Sequence, residues 1–229
     1  MADLSVVRKE VKYLLDDATA ARLRSALGAF MPLDPMGGPD GYEVRSLYFD
    51  TVYDKDYNDK VDGIEVRRKI RLRIYSSGDA VAKLELKEKS AAGQRKRSTT
   101  VAREDAALLL AGRYAALRAK MPSPFAQELL GIMEVEGYVP RTVVAFRRLA
   151  FMDRTNNTRV TFDSRLCASE SCFDLFAARL ACYPIPHPLI LEVKYANFLL
   201  SHIYSALCLA NQVPVSVSKY CLGRQVSFF

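Results

Sequence analysis

Lys69, Arg71 and Arg73 alternate with Ile70, Leu72 and Ile74, so an extended chain places the cations on one face and the aliphatic side chains on the other. The arrangement repeats in Lys83, Glu85, Lys87 and Lys89 against Leu84 and Leu86, and Arg95-Lys96-Arg97 opens the segment after it. An antiparallel sheet normally has one wet face, but that face mixes signs and uses Thr, and directly opposed like charges destabilise it. A strongly one-signed face is better tolerated if it collects an anion. The alternation returns late in the chain: Phe146 with Arg148, Arg159 with Thr161 and Asp163, then Glu192 with Lys194. Arginine forks and lysine point charges in this number suit a ligand with several phosphates. Leu149, Phe151, Val160, Phe162, Leu191 and Val193 fall on the opposite faces and are predicted core. If the sheet closes with its basic face inward, the product is a polar tunnel walled by arginine and lysine.

Other chemistries are excluded by what the sequence lacks. It has no Walker sequence and no GxGxxG, so phosphate is not cradled by a glycine loop and must be held by side-chain cations. HExxH, GxSxG and paired-cysteine fingers are also absent. The 5 cysteines form no CxxC pair and are read as reduced and structural. His187 and His202, the only two histidines, make neither a ligand pattern nor a nucleophile pairing and are read as structural too.

The elements that must position these residues fit one domain over residues 1–229, with 50% hydrophobic residues to fill a core. A formal charge of +7 favours anionic partners. Nucleic acid is not among those expected, because Phe151 and Phe162 fall on the apolar faces and offer no exposed stacking platform. Arg8-Lys9-Glu10 precede any long apolar run, which is not a signal-peptide plan, so a cytoplasmic protein is expected. The stretch from Ala196 to Gln212 is too short and too polar for a direct membrane span and is predicted as one buried helix. Strands are predicted from Val6 to Leu15, Tyr42 to Phe49, Ile64 to Tyr75, Val81 to Lys89, Gln94 to Val101, Thr142 to Met152, Arg159 to Phe162 and Leu189 to Tyr195. Helices are predicted from Asp17 through Ala20, Leu23, Leu27 and Phe30, from Arg103 to Ala111, and after the Ser123 cap with Pro124 first and Gly137 past the end. The class is α+β with a dominant antiparallel sheet.

Taken together, Glu10-Val11-Lys12-Tyr13, Arg45-Ser46-Leu47-Tyr48-Phe49-Asp50-Thr51, Lys69 to Arg73, Leu84 to Lys89, Arg159 to Asp163, Leu191 to Tyr195 and Ser218 to Gly223 resemble the VTC domain. That is the polyphosphate polymerase module of the vacuolar transporter chaperone complex, in the superfamily of triphosphate tunnel metalloenzymes. The resemblance implies a closed antiparallel β-barrel with helices packed outside, which binds ATP and polyphosphate. By motif position it implies Arg71, Arg73, Lys87, Arg148, Arg159 and Lys219 as catalytic phosphate ligands. Lys12, Lys96 and Ser218 would assist in substrate binding, and Glu192 would hold Mn²⁺ or Mg²⁺. Glu10 and Glu85 are weaker metal candidates, since either could simply neutralise adjacent cations, and Glu192 could instead pair with a neighbouring Lys or Arg. Phe146 stands where the family often has Tyr, and Ser216 where it often has a basic residue. A tunnel hydrolase and a non-catalytic polyphosphate-binding domain, the latter with a membrane-protein partner, are the competing readings.

Overall fold

In the computed structural model, which describes residues 8–186 and 189–226, the chain opens with β1 (Arg8–Leu15) and α1 (Asp17–Gly28). Then come β2 (Tyr42–Thr51), α2 (Lys55–Val61), β3 (Arg67–Ile74), β4 (Val81–Ser90) and β5 (Gly93–Ala102). Three helices follow, α3 (Ala106–Leu110), α4 (Tyr114–Lys120) and α5 (Pro124–Val135), before β6 (Tyr138–Asp153) and β7 (Thr158–Ser169). The short β8 (Tyr183–Pro184), β9 (Leu189–Ala196), α6 (Ser201–Cys208) and α7 (Lys219–Gln225) complete the order. Residues Val6 and Val7 of the first predicted strand lie outside the described residues, as does His187.

This is an α+β fold on an antiparallel sheet with strand order β1-β9-β7-β6-β2-β3-β4-β5, β8 pairing with β7. Among the described residues β1 and β5 are the two ends of that path, so the expected closed barrel is not formed. Closure requires two edge strands to meet in a compatible register and shear. Alternation along each strand fixes which face is basic but carries no information about an edge partner.

The chain divides into two compact units, and each has a core of its own. The first comprises Met1–Glu43, Phe146–Leu166 and Pro184–Ser218. Its helix α1 starts where Asp16 accepts the Thr19 N–H at 2.7 Å, and it buries Ala20, Leu23 and Leu27. These pack with Ile203, Ala206 and Leu207 of α6 against Leu149, Phe151, Val160, Phe162, Leu191 and Val193, the apolar faces marked by alternation. Phe30 falls beyond the helix and is exposed. The predicted helix from Ala196 to Gln212 is only Ser201–Cys208: Asn197 and Asn211 take φ of 58° and 46°, left-handed values that break a helix on either side.

The second unit comprises Val44–Ala145, Cys167–Tyr183 and Lys219–Phe229. Ile70, Leu72, Leu84 and Leu86 pack beneath Leu109, Leu117, Leu129, Leu130 and Met133 of α3, α4 and α5, leaving the cationic faces of β3 and β4 uncovered by that core. Each such fully buried aliphatic side chain contributes about 1.5–3 kcal/mol. Helix α5 begins as predicted: Ser123 accepts the Ala126 N–H at 3.2 Å, Pro124 occupies the first position, and Gly137 follows at φ 65°. Cys167 and Cys182 form a disulfide, which corrects the reduced reading for that pair; Cys172, Cys208 and Cys221 are not disulfide-bonded. No described helix is long and apolar enough to cross a membrane.

Helices α2, α4 and α7 and the short β8 are absent from the sequence prediction. Helix α2 is short and polar, and α7 carries Gly223, which argues against a helix on propensity alone. Packing explains the glycine, since a Cβ there would stand 2.6 Å from Val144 Cγ2. Where β2 leads into α2 lies a buried acidic pair, Asp50 on the strand and Asp56 on the helix. Asp56 Oδ2 accepts the Tyr138 hydroxyl at 3.0 Å. Burial first, and the neighbouring Asp50 charge second, push the Asp56 carboxyl up to about 7. Between the unfolded value and that one, the folded chain keeps a proton that the unfolded chain has lost. Stability from this group is therefore full in acid and is lost as pH rises towards 7. The variant Asp56→Asn should gain stability over the parent, on the order of 3 kcal/mol between pH 5 and 8, in urea unfolding at the two pH values.

Candidate functional site

Within the second unit, the register of β3, β4 and β5 sorts the basic faces into rows. Lys69 faces Lys87, which faces Lys96: three ammonium groups opposed on three consecutive strands. The next row is Arg71, Glu85 and Ser98, and the one after it Arg73, Lys83 and Thr100. Opposed cations repel, and the only acid in these rows is Glu85. That carboxylate is fully buried. It accepts the Arg71 Nε at 2.6 Å and Nη2 at 2.5 Å, and its other oxygen pairs with Lys96. Burial alone would raise its pKa, but the charge of Arg71 and the hydrogen bond from Lys96 hold it down at about 2. Glu85 is thus the clamp of the Arg71 fork, and the alternative reading of it as an adjacent counter-charge is the one realised here.

Arg71 and Arg73 are both buried, and Arg73 donates from Nε to Ser46 Oγ at 3.1 Å. Tyr48, buried beside Arg71, shows how strong the local field is. Burial raises a phenol, yet the charges of Arg71, Arg73 and Lys69 outweigh it and leave this one below its ordinary value. Lys69 was not singled out as a ligand from the sequence, although its place at the head of the ammonium row was marked by the same alternation that found Arg71.

In the first unit, β9 lies between β1 and β7 and sets two rows: Lys12, Glu192 and Thr161, then Glu10, Lys194 and Arg159. Lys194 pairs with Glu192 and reaches Glu10 at 3.5 Å, while Lys12 meets Glu10 at 2.7 Å. Burial and the Glu192 charge raise the Glu10 carboxyl, and Lys12 and Lys194 prevail and lower it. Arg148 is held by Asp163 in a buried two-point fork, Nε to Oδ1 at 2.6 Å and Nη2 to Oδ2 at 2.7 Å. Its guanidinium also lies 5.3 Å from the centre of the Phe146 ring, so the residue that stands where Tyr was expected packs instead of donating. Arg159 Nη2 donates to Asp34 Oδ2 at 2.5 Å and to the Tyr42 hydroxyl at 2.8 Å. Neither Asp34 nor Tyr42 carries a sequence signal, because both come from the loop and strand start over a hundred residues away. Ser218 is buried and closes this unit; Lys219 opens the last segment of the other.

Among the described residues no group of three His, Cys, Asp or Glu stands ready for a metal. Glu192 and Glu10 are nonetheless two carboxylates that repel each other and share one ammonium. Such a pair offers hard oxygen donors, balanced in the free protein by Lys12 and Lys194, and these donors fit a divalent cation whose remaining ligands are phosphate oxygens and water.

Two solved structures share the fold. A Bacillus halodurans protein provisionally assigned as an adenylate cyclase aligns at a TM-score of 0.55 and 18% identity, over 92% of this chain and 94% of that one. A Vibrio parahaemolyticus protein with the same provisional assignment aligns at 0.54 and 11%, over 95% and 97%. What the chain shares with these two structures is the fold, an α+β fold on a curled antiparallel sheet. Residues 7–228 match the VTC domain, and the chain belongs to that family. No curated protein matches it.

Proposed function

We propose that this protein is a polyphosphate polymerase that transfers the γ-phosphate of ATP to the end of a polyphosphate chain. The observation that carries the reading is the register of Lys69, Lys87 and Lys96 beside two buried arginines with Glu85 the only acid in those rows, a cation excess that a phosphate chain would neutralise. Phosphoryl transfer needs in-line positioning and neutralisation of charge more than covalent help. Arg71, Arg73, Arg148 and Arg159 bracket the triphosphate, with Lys12, Lys87, Lys96, Lys219 and the Ser218 hydroxyl completing its shell. That the two sets serve one phosphate chain rests on the family membership. Glu192, assisted by Glu10, holds Mn²⁺ or Mg²⁺, which when bound supplies positive charge to the phosphoryl oxygens.

The test is incubation of the purified protein with ATP and Mn²⁺, followed by gel staining for polyphosphate and a separate assay of free phosphate. Polymer supports the reading; free phosphate alone identifies a tunnel hydrolase. A binding module without turnover is favoured by one observation, the Lys194 ion pair on Glu192, and predicts neither product. All three readings share one expectation. Tripolyphosphate should raise the melting temperature progressively, equivalent to about 2.7 kcal/mol at a hundred times its dissociation constant. Absence of any shift at millimolar tripolyphosphate in a thermal melt would exclude all three.

A further inference from the structure

Helix α7 opens with Lys219, and the side chains of Tyr220 and Arg224, the latter also paired with Glu170, hold it within the second unit. The Tyr220 hydroxyl donates to Asp50 Oδ2 at 2.6 Å, and Arg224 donates to Asp54 from Nη1 at 2.5 Å and Nη2 at 3.2 Å. Asp50 is fully buried and already accepts the N–H groups of Thr51, Asp56 and Tyr57 at 2.7, 2.9 and 2.8 Å. Four donors converge on one carboxylate, which makes it a rigid anchor joining the end of β2, the first turn of α2 and helix α7.

The ring of Tyr220 faces the basic rows. It is stacked on Tyr48, centroids 5.2 Å apart, and Lys69 Nζ lies 5.8 Å from its centre. Tyr48 in turn adjoins the Arg71 guanidinium. One side chain therefore links the head of the ammonium row, the aromatic beside Arg71 and, through the chain, Lys219. Its ring meets Lys69 of the ammonium row, while its hydroxyl faces Asp50 and Arg224. A hydroxyl needed only to fill the core would not require a buried carboxylate beneath it, since phenylalanine packs the same volume.

We infer that Tyr220 is a positioning residue: clamped by Asp50, it fixes Lys219 against the row headed by Lys69 and so sets the affinity of this unit's cations for a phosphate chain. The inference rests on the polyphosphate reading above and deepens it. The clamp acts through geometry, so its loss should weaken ligand binding in a protein that is still folded.

The experiment is calorimetric titration of the whole protein with tripolyphosphate, at a temperature where circular dichroism shows parent and variants folded. Tyr220→Phe keeps the ring and removes the clamp, and its dissociation constant should rise about three- to tenfold. Introduced into Lys219→Ala, the same change should add less than about twofold, because the residue it positions is gone. Independent, additive losses overturn the inference, and so does a lowered melting temperature with unchanged affinity, which is the signature of a purely structural role. Should Tyr220→Phe fail to fold, Arg224→Gln releases the other clamp of the same helix and should also weaken binding about threefold; unchanged affinity there overturns the inference. A parent that does not bind tripolyphosphate overturns this inference and the proposed function together, whereas a binding parent with an unaffected Tyr220→Phe overturns this inference alone.

Discussion

Glu192→Gln is expected to abolish metal-dependent turnover of ATP, a loss on the order of a hundredfold or more, while tripolyphosphate binding without metal stays equal or tightens. A carboxylate beside an anionic substrate is repulsive unless a cation lies between them. In the free protein that cation is Lys194, which pairs with Glu192 and also reaches Glu10. Glutamine keeps the shape and removes one of the two charges on Lys194, so the ammonium is released towards phosphate and affinity rises. With the divalent ion the balance reverses, because an amide oxygen is a far weaker ligand than a carboxylate and Glu10 alone remains. Steady-state turnover with Mn²⁺, set beside metal-free calorimetry of tripolyphosphate, separates the two effects. Full turnover in the variant would place the metal elsewhere; parallel loss of turnover and binding would make Glu192 a structural residue.

The contrast between Glu192 and Glu85 shows what the sequence could and could not reveal. Both alternate with apolar neighbours on strands that carry lysine; motif position in the family makes Glu192 the metal candidate and leaves Glu85 the weaker one, but alternation alone treats them alike. What separates them is the neighbouring strand. Register places Glu85 between Arg71 and the Lys96 row, where it is fully buried and holds an arginine fork. Register places Glu192 opposite Lys12 and diagonal to Glu10, where two carboxylates share Lys194 and no arginine fork is held. Periodicity of two gives the face of every side chain but not its cross-strand partner. For that reason the strand faces of each core were legible from Leu149, Phe162 and Leu191 or from Ile70, Leu72 and Leu84, whereas core residues such as Leu117 on α4 were not. Partners such as Asp163 for Arg148, and Asp34 for Arg159, were not. The same limit explains α7: its glycine is read correctly only when Val144, from a distant strand, is known to press against it. Open or closed strand order is a further property of partners, and alternation is silent on it.

Arg148 gives the largest expected effect on stability. Its fork with Asp163 is buried on both sides. Removing one partner of such a pair strands the other charge, which costs about 3–5 kcal/mol. Arg148→Met should lose that amount in chemical denaturation. Arg148→Met combined with Asp163→Leu should recover most of it, since a buried ion pair and an apolar pair of similar volume are often close in stability. Function should not follow the same course. Asp163 engages Nε and Nη2, which orients the guanidinium and leaves Nη1 as the atom to meet a phosphate oxygen. The double variant therefore regains a stable fold while tripolyphosphate affinity stays reduced, by about tenfold for the loss of one charge-assisted hydrogen bond. Calorimetry on the two variants at matched fraction folded decides the matter: recovery of affinity along with stability would remove Arg148 from the set of phosphate ligands and leave it as Asp163's partner in the core.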